Sequence, residues 1–139
     1  MKYQLAFKFL PKLWTSILYL VVIAAGSFMY LSKHWDITIF TSIYSDFYLH
    51  ISNFSISLIL GLIPYFWLLM GAKFNYIIIF SLLLLVANAL CETVLGFINT
   101  PDIIDMYFGF AGTGISFLTL LIIYKFGLSP NSEKRESQP

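Results

Sequence analysis

The sequence predicts an all-α integral membrane protein built as a four-helix bundle. Three observations support this: the composition, the long apolar runs and the distribution of basic residues. Of the 139 residues, 59% are hydrophobic and 11% are charged, whereas an average soluble domain carries roughly 25% charged residues. A small soluble domain cannot bury so much apolar surface. The composition therefore excludes an ordinary soluble enzyme, and a net charge of +1 without a basic stripe excludes nucleic-acid binding.

Four segments are long enough to cross a bilayer, which takes about 20 mostly apolar residues per helix. They are 13–32, 50–71, 75–97 and 104–125. The apolar run of the first segment continues to Leu31. It is longer than the apolar region of about 7–15 residues in a cleaved signal peptide. We therefore predict that the first span is retained and that residues 1–128 form one membrane domain.

The connections between these spans agree with the division. A short polar break at 71–74 and a turn-like cluster at 99–102 separate the last three spans. The longer connection at 33–49 is rich in aromatic residues, which is typical of the headgroup region. Residues 129–139 are polar and predict a disordered cytoplasmic tail.

The basic residues predict the orientation, because Lys and Arg concentrate in cytoplasmic segments. Lys33 alone falls on one side of the predicted membrane. All the other basic residues fall on the opposite side: Lys2, Lys8, Lys12, Lys73, Lys125, Lys134 and Arg135. We therefore expect both termini in the cytoplasm and the connections at 33–49 and 99–104 outside.

Polar and small residues recur at helical spacing on three of the spans. The stripes are Asp46, His50, Asn53, Ser57 and Gly61 on the second span, Ser81, Asn88 and Glu92 on the third, and Asp105, Gly109, Gly112, Ser116 and Thr119 on the fourth. Polar residues inside a membrane tend to face the interior of a bundle. The candidate functional or ligand-binding residues are Asp46, His50, Asn53, Asn88, Glu92 and Asp105. The candidate helix-packing residues are Gly109, Gly112 and Ser116.

Glu92 needs a partner or a role, because an ionised acid within a membrane is costly. We expect it about six residues before the outer end of its helix, about 9 Å deep at 1.5 Å per residue. His50 is the natural partner of either Glu92 or Asp105. Both a structural His–carboxylate lock and a functional site fit this pattern. Since no nucleophile motif, phosphate loop or metal-ligand spacing is present, we expect no catalysis, no cofactor and no metal site.

Three stretches of the chain resemble the VanZ-like family of small membrane proteins. The first is Tyr30-Leu31-Ser32, at the end of the first span. The second runs from Asp46 to Phe54 and matches the family's pattern at Asp46, His50 and Phe54. The third matches at Glu92, Asp105 and Gly112.

The chain also departs from the family's pattern. Phe47 replaces a Lys, and the Arg expected between Glu92 and Asp105 is missing. Gly109 stands in place of Asn and Ser116 in place of Gly. The two missing basic residues remove support for an anion-binding role.

The resemblance implies a cell-envelope protein of the bacterial cytoplasmic (inner) membrane, with a polar site that opens outward. The leading hypothesis is that this site binds a lipid or a lipid-linked envelope component. The alternative is an accessory subunit packed against a larger membrane protein complex. A small proton-coupled exporter using Glu92 is a third hypothesis, but Glu92 lies nearer one end of its span than the midplane expected of such carriers.

Overall fold

The structure is a computed structural model that describes residues 7–35, 37–94 and 102–131. The helices are α1 (Leu13–Ser32), α2 (Thr38–Ile43), α3 (Phe47–Gly61), α4 (Tyr65–Met70), α5 (Phe74–Thr93) and α6 (Ile103–Phe126). Two short strands, β1 (Phe9–Pro11) and β2 (Leu128–Pro130), lie before the first helix and after the last.

Four helical stretches are long and apolar enough to cross a membrane, which agrees with the predicted helical, multi-pass membrane protein. They are Leu13–Ser32, Phe47–Met70, Phe74–Thr93 and Ile103–Phe126. The first has the predicted bounds, the second begins three residues early and the fourth is one residue longer at each end. The end of the third prediction, 95–97, and the turn residues 99–101 lie outside the described residues.

The second span is interrupted at Pro64, where the sequence predicts a kink. Proline has no backbone N–H, and its ring collides with the carbonyl group four residues earlier in a helix. Accordingly, α3 ends at Gly61 and α4 begins at Tyr65. At the other end of α4, Gly71 adopts a φ of +85°, and the Ala72 N–H donates to the Trp67 carbonyl (2.9 Å). This left-handed glycine cap ends the span sharply.

The centre of the molecule is the contact between α3 and α6. The two helices run in the same direction, because His50 at the start of α3 meets Asp105 at the start of α6, and Gly61 at the end of α3 lies against Ser116. A Cβ atom on Gly112 would collide with the Phe54 carbonyl oxygen of α3. Gly112 and Ser116, predicted as packing residues, therefore lie where the two helices approach most closely.

The two flanking spans are much more exposed than α3 and α6. Thr15, Gly26 and Ser32 are the buried residues of α1. Ile77, Ser81 and Glu92 are those of α5. The rest of their surface is largely apolar, as expected for helices that face lipid.

An apolar core fills the end of the molecule where α6 finishes. Its buried members are Leu62, Tyr65, Leu68, Leu69, Ile77, Leu120 and Ile123. The ring of Tyr19 stacks on that of Tyr65 with centroids 4.1 Å apart. The polar candidates, by contrast, lie toward the opposite end, where α3 and α6 begin.

Three elements were not predicted: helix α2 and the two strands, β1 and β2. A short helix, α2, lies in the 33–49 connection, where Phe40 stacks on Phe47 at 4.7 Å. Strands β1 and β2 form an antiparallel ribbon in which Leu10 pairs with Ser129. Ser129 and Pro130, assigned to the disordered tail, therefore belong to a strand, and residues 132–139 of that tail lie outside the described residues.

The close approach of α3 and α6 generates a prediction with a matched control. Gly112→Ala places a methyl group against the α3 backbone, and overpacking of this kind costs about 1–3 kcal/mol. Gly114 lies on the same helix, but a Cβ there meets nothing within 4 Å. Gly114→Ala should therefore change stability by no more than about 1 kcal/mol. Thermal unfolding of both variants in detergent measures the difference, and equal stability would contradict the close contact.

Candidate functional site

The candidate site is built around His50, in the first turn of α3. Its side chain is 6% exposed, and its Nδ1 atom lies 2.8 Å from Oδ1 of Asp105. The same nitrogen lies 3.7 Å from Oδ2 of Asp102. A carboxylate accepts hydrogen bonds, so the bond to Asp105 places the imidazole proton on Nδ1. His50 therefore faces two carboxylates from the start of α6.

Asp102 is positioned by its role as the N-cap of α6. Its Oδ1 atom accepts a hydrogen bond from the Ile104 N–H (2.8 Å), which leaves Oδ2 directed toward His50. Asp105 lies in the first turn of the same helix. Both carboxylates are close to the positive end of the α6 dipole, where negative charge is favoured.

Exposure increases across this group from His50 outward. The side chain of Asp105 is 17% exposed and that of Asp102 is 40% exposed. Two aromatic rings flank the imidazole, Tyr44 with its centroid at 6.3 Å and Phe108 at 5.4 Å. The site is therefore enclosed by aromatic rings around His50 and opens past Asp102.

Glu92 forms a hydrogen bond with Asn53, whereas His50 pairs with Asp105. The Oε1 atom of Glu92 accepts a hydrogen bond from Nδ2 of Asn53 (2.9 Å), one turn along α3 from His50. Glu92 is 4% exposed, so it faces the protein interior and not lipid. Because α5 ends at Thr93, Glu92 lies in the last turn of the described helix instead of the predicted six residues before its end. A carboxylate is unfavourable near the negative end of a helix dipole, and the Asn53 amide offsets part of that cost.

We call His50, Asn53, Glu92, Asp102 and Asp105 the polar cluster. Its members come from three helices and lie at one end of the molecule, where α3 and α6 begin and α5 ends. Among the described residues, its ion pairs join His50 to the two aspartates, and no Lys or Arg takes part. The cluster is rich in carboxylate oxygens, so it suits a cation or a group with hydrogen-bond donors better than an anion.

Asn88 belongs to a separate polar group deeper in the molecule. Its Oδ1 atom accepts from the Ser57 hydroxyl of α3 (3.0 Å), and its Nδ2 atom faces Oγ1 of Thr113 on α6 (3.5 Å). The Thr113 hydroxyl in turn donates to the Gly109 carbonyl (2.9 Å). The side-chain oxygens of Ser57, Asn88 and Thr113 all take part in hydrogen bonds inside the protein. This arrangement favours the interpretation of Asn88 as an interhelical hydrogen-bonding residue and not as a ligand-binding residue.

Two differences separate the structure from the sequence-based site. Asp46 is exposed at the start of α3 and accepts a hydrogen bond from Ser45 (3.2 Å). Within the described residues it makes no hydrogen bond to the polar cluster. Asp102, in contrast, was treated only as a turn residue. Its signal in the sequence is its spacing, because an N-cap aspartate and an aspartate three residues later share one helix end.

Comparisons of the chain with protein-family models, with curated proteins and with solved structures found no match. The site is therefore interpreted from its own geometry.

The hydrogen bond between Ser57 and Asn88 can be tested with a double-mutant cycle. Interhelical hydrogen bonds in membrane proteins contribute about 0.6 kcal/mol on average and at most about 1.7 kcal/mol. We expect Ser57→Ala and Asn88→Ala to show a coupling energy in this range when unfolding is measured in detergent. Ser42→Ala is the matched control, since the Ser42 hydroxyl is exposed and bonds only within its own helix. Additive effects of Ser57→Ala and Asn88→Ala would contradict the bond.

Proposed function

We propose that the chain is a VanZ-like cell-envelope protein of the bacterial cytoplasmic membrane, and that its polar cluster is an outward-facing site for a lipid or a lipid-linked envelope component. The observation that carries the proposal is the exposure gradient at the start of α6. His50 and Glu92 are buried, while Asp105 and Asp102 become progressively more exposed. Buried polar groups that lead to an opening at a helix end offer a binding site in an otherwise apolar molecule.

The orientation follows from the position of the basic residues. Lys8, Lys12, Lys73 and Lys125 lie near the ends of helices and strands opposite the polar cluster. Since basic residues mark the cytoplasmic face, the spans form a four-helix bundle with both termini inside. The polar cluster then lies at the level of the outer headgroups.

An amphipathic ligand fits the surroundings of the cluster. Ile103, Ile104 and Tyr107 are 60%, 45% and 61% exposed beside the two aspartates. Exposed apolar side chains and a tyrosine at a helix end are typical of the membrane interface. A head group that offers hydroxyl or ammonium donors would meet the carboxylates, while its acyl chains stay in the bilayer beside α6.

The function is tested by replacing His50 and Glu92 singly by Ala in a strain that depends on the chain for tolerance of envelope-directed antibiotics. Each replacement removes a hydrogen bond that positions the polar cluster, His50 to Asp105 or Asn53 to Glu92. If the ligand thereby loses one charge-assisted hydrogen bond, worth about 1.5–3 kcal/mol, its affinity should fall about tenfold or more. We expect both variants to lose tolerance and to retain less lipid when the purified protein is examined by native mass spectrometry.

Asp46→Asn is the control, because it removes an exposed carboxylate at the same end of α3 that lies outside the polar cluster. Asp46→Asn should show the same antibiotic tolerance and the same lipid retention as the unaltered protein. Normal tolerance and normal lipid retention in both His50→Ala and Glu92→Ala, with expression and folding verified, would contradict the proposal. A stoichiometric larger membrane protein that copurifies with all variants would instead support the accessory-subunit hypothesis.

The orientation has its own test, which uses the single cysteine of the chain, Cys91. In a Cys91→Ser background, Ser42→Cys places a thiol on the exposed helix α2, and Lys73→Cys places one at the start of α5. A membrane-impermeant maleimide added to intact cells should label the first and not the second. Permeabilised cells should show labelling of both. The reverse pattern in intact cells would contradict the proposed orientation.

A further inference from the structure

Three side chains of metal-ligating types meet at the opening of the polar cluster. Nδ1 of His50 and one carboxylate oxygen each from Asp102 and Asp105 all lie within 4.8 Å of one another. Helical spacing predicted His50 with Asp105 or Glu92 but did not include Asp102 in this group, and His50 and Asp105 are 55 residues apart. The packing of α3 against α6 brings them together.

The distances suit a common metal ion. Zinc lies about 2.0–2.1 Å from an imidazole nitrogen and about 2.0–2.2 Å from a carboxylate oxygen. Two such ligands are about 3.0 Å apart at a right angle and about 3.4 Å apart at the tetrahedral angle. Nδ1 of His50 lies 2.8 Å and 3.7 Å from the two aspartate oxygens. Both distances from His50 therefore lie within a few tenths of an ångström of those expected around a shared ion, and the two aspartate oxygens lie within 4.8 Å of each other.

The group differs from an ordinary exposed pair of acids. His50 is buried and comes from a different helix, and one Nδ1–H group faces both carboxylates at once. A single N–H forms a good hydrogen bond with only one of them, Asp105, and Asp102 remains at 3.7 Å. A divalent cation would instead satisfy all three ligand atoms and balance the charge of the two carboxylates.

The supporting contacts also resemble those of a metal site. Ligating carboxylates are commonly held by hydrogen bonds from outside the coordination sphere. The Ile104 N–H holds one oxygen of Asp102 and leaves the other to face His50. Phe108 and Tyr44 restrict the imidazole ring. The ligands are thus held in position by groups other than the ion.

We propose that His50, Asp102 and Asp105 form a three-ligand site for a divalent transition-metal ion, with Zn²⁺ the best match. One imidazole nitrogen with two carboxylate oxygens suits Zn²⁺, whereas Mg²⁺ and Ca²⁺ prefer oxygen ligands alone. Three protein ligands leave a coordination position open for a further ligand. The metal site stands on its own geometry. Its use in holding a lipid head group rests on the proposed function.

The test is a titration of Zn²⁺ into the purified, untagged, metal-free protein in detergent without added lipid, followed by calorimetry. We expect saturable binding of one ion per chain with micromolar or tighter affinity, and much weaker binding of Mg²⁺. Even the loss of a supporting contact typically weakens metal binding 10- to 100-fold. His50→Gln, Asp102→Asn and Asp105→Asn should therefore each weaken Zn²⁺ binding by more than about tenfold. Asp102→Asn retains an N-cap side chain, so its folding should be preserved.

Asp46→Asn is again the control and should bind Zn²⁺ as the unaltered protein does. Absence of saturable Zn²⁺ binding, or binding that survives all three replacements, would overturn the proposal. An equal loss in Asp46→Asn would also overturn it, because it would indicate weak attraction to surface charge. Since no lipid is present, failure here leaves the lipid-binding test unaffected. A chain that binds no Zn²⁺ but loses lipid in His50→Ala would refute the metal site alone.

Discussion

The contact between the parallel helices α3 and α6 is the constraint on which the rest of the structure depends. It requires Gly112 to lie against the α3 backbone and Gly61 to lie against Ser116. With these contacts set, His50 can meet only the first turn of α6. Because both helices begin at the same end, the positive ends of two helix dipoles converge there. That end is thus suited to hold the two aspartates.

The structure divides its polar and apolar groups along its length. The buried apolar core lies where α6 finishes, and the polar cluster lies where it begins. The Ser57–Asn88–Thr113 group occupies the region between them and links three helices. The buried apolar core and the polar cluster therefore occupy opposite ends of the molecule.

The membrane spans and the polar stripes could be predicted from the sequence, because hydropathy and helical period are properties of each segment alone. Which stripes contact each other could not be predicted in the same way, because the contacts depend on how far each helix is rotated and shifted against its neighbour. The sequence left Glu92 and Asp105 as equal partners for His50, and packing selects Asp105. The contribution of Asp102 depends on a capping geometry that composition does not reveal. The ribbon is made of two three-residue segments that carry no pattern of their own.

The ribbon has a consequence for how the chain assembles. Strand β1 precedes all four spans and β2 follows them, and the two are joined in register from Phe9 with Pro130 to Pro11 with Leu128. During synthesis, β1 has no partner strand until the last span has been made. Its partner β2 follows α6, and if all four spans cross a bilayer the two strands lie on the same side of it. The pairing of β1 with β2 therefore requires all four helical stretches between them to have been synthesised.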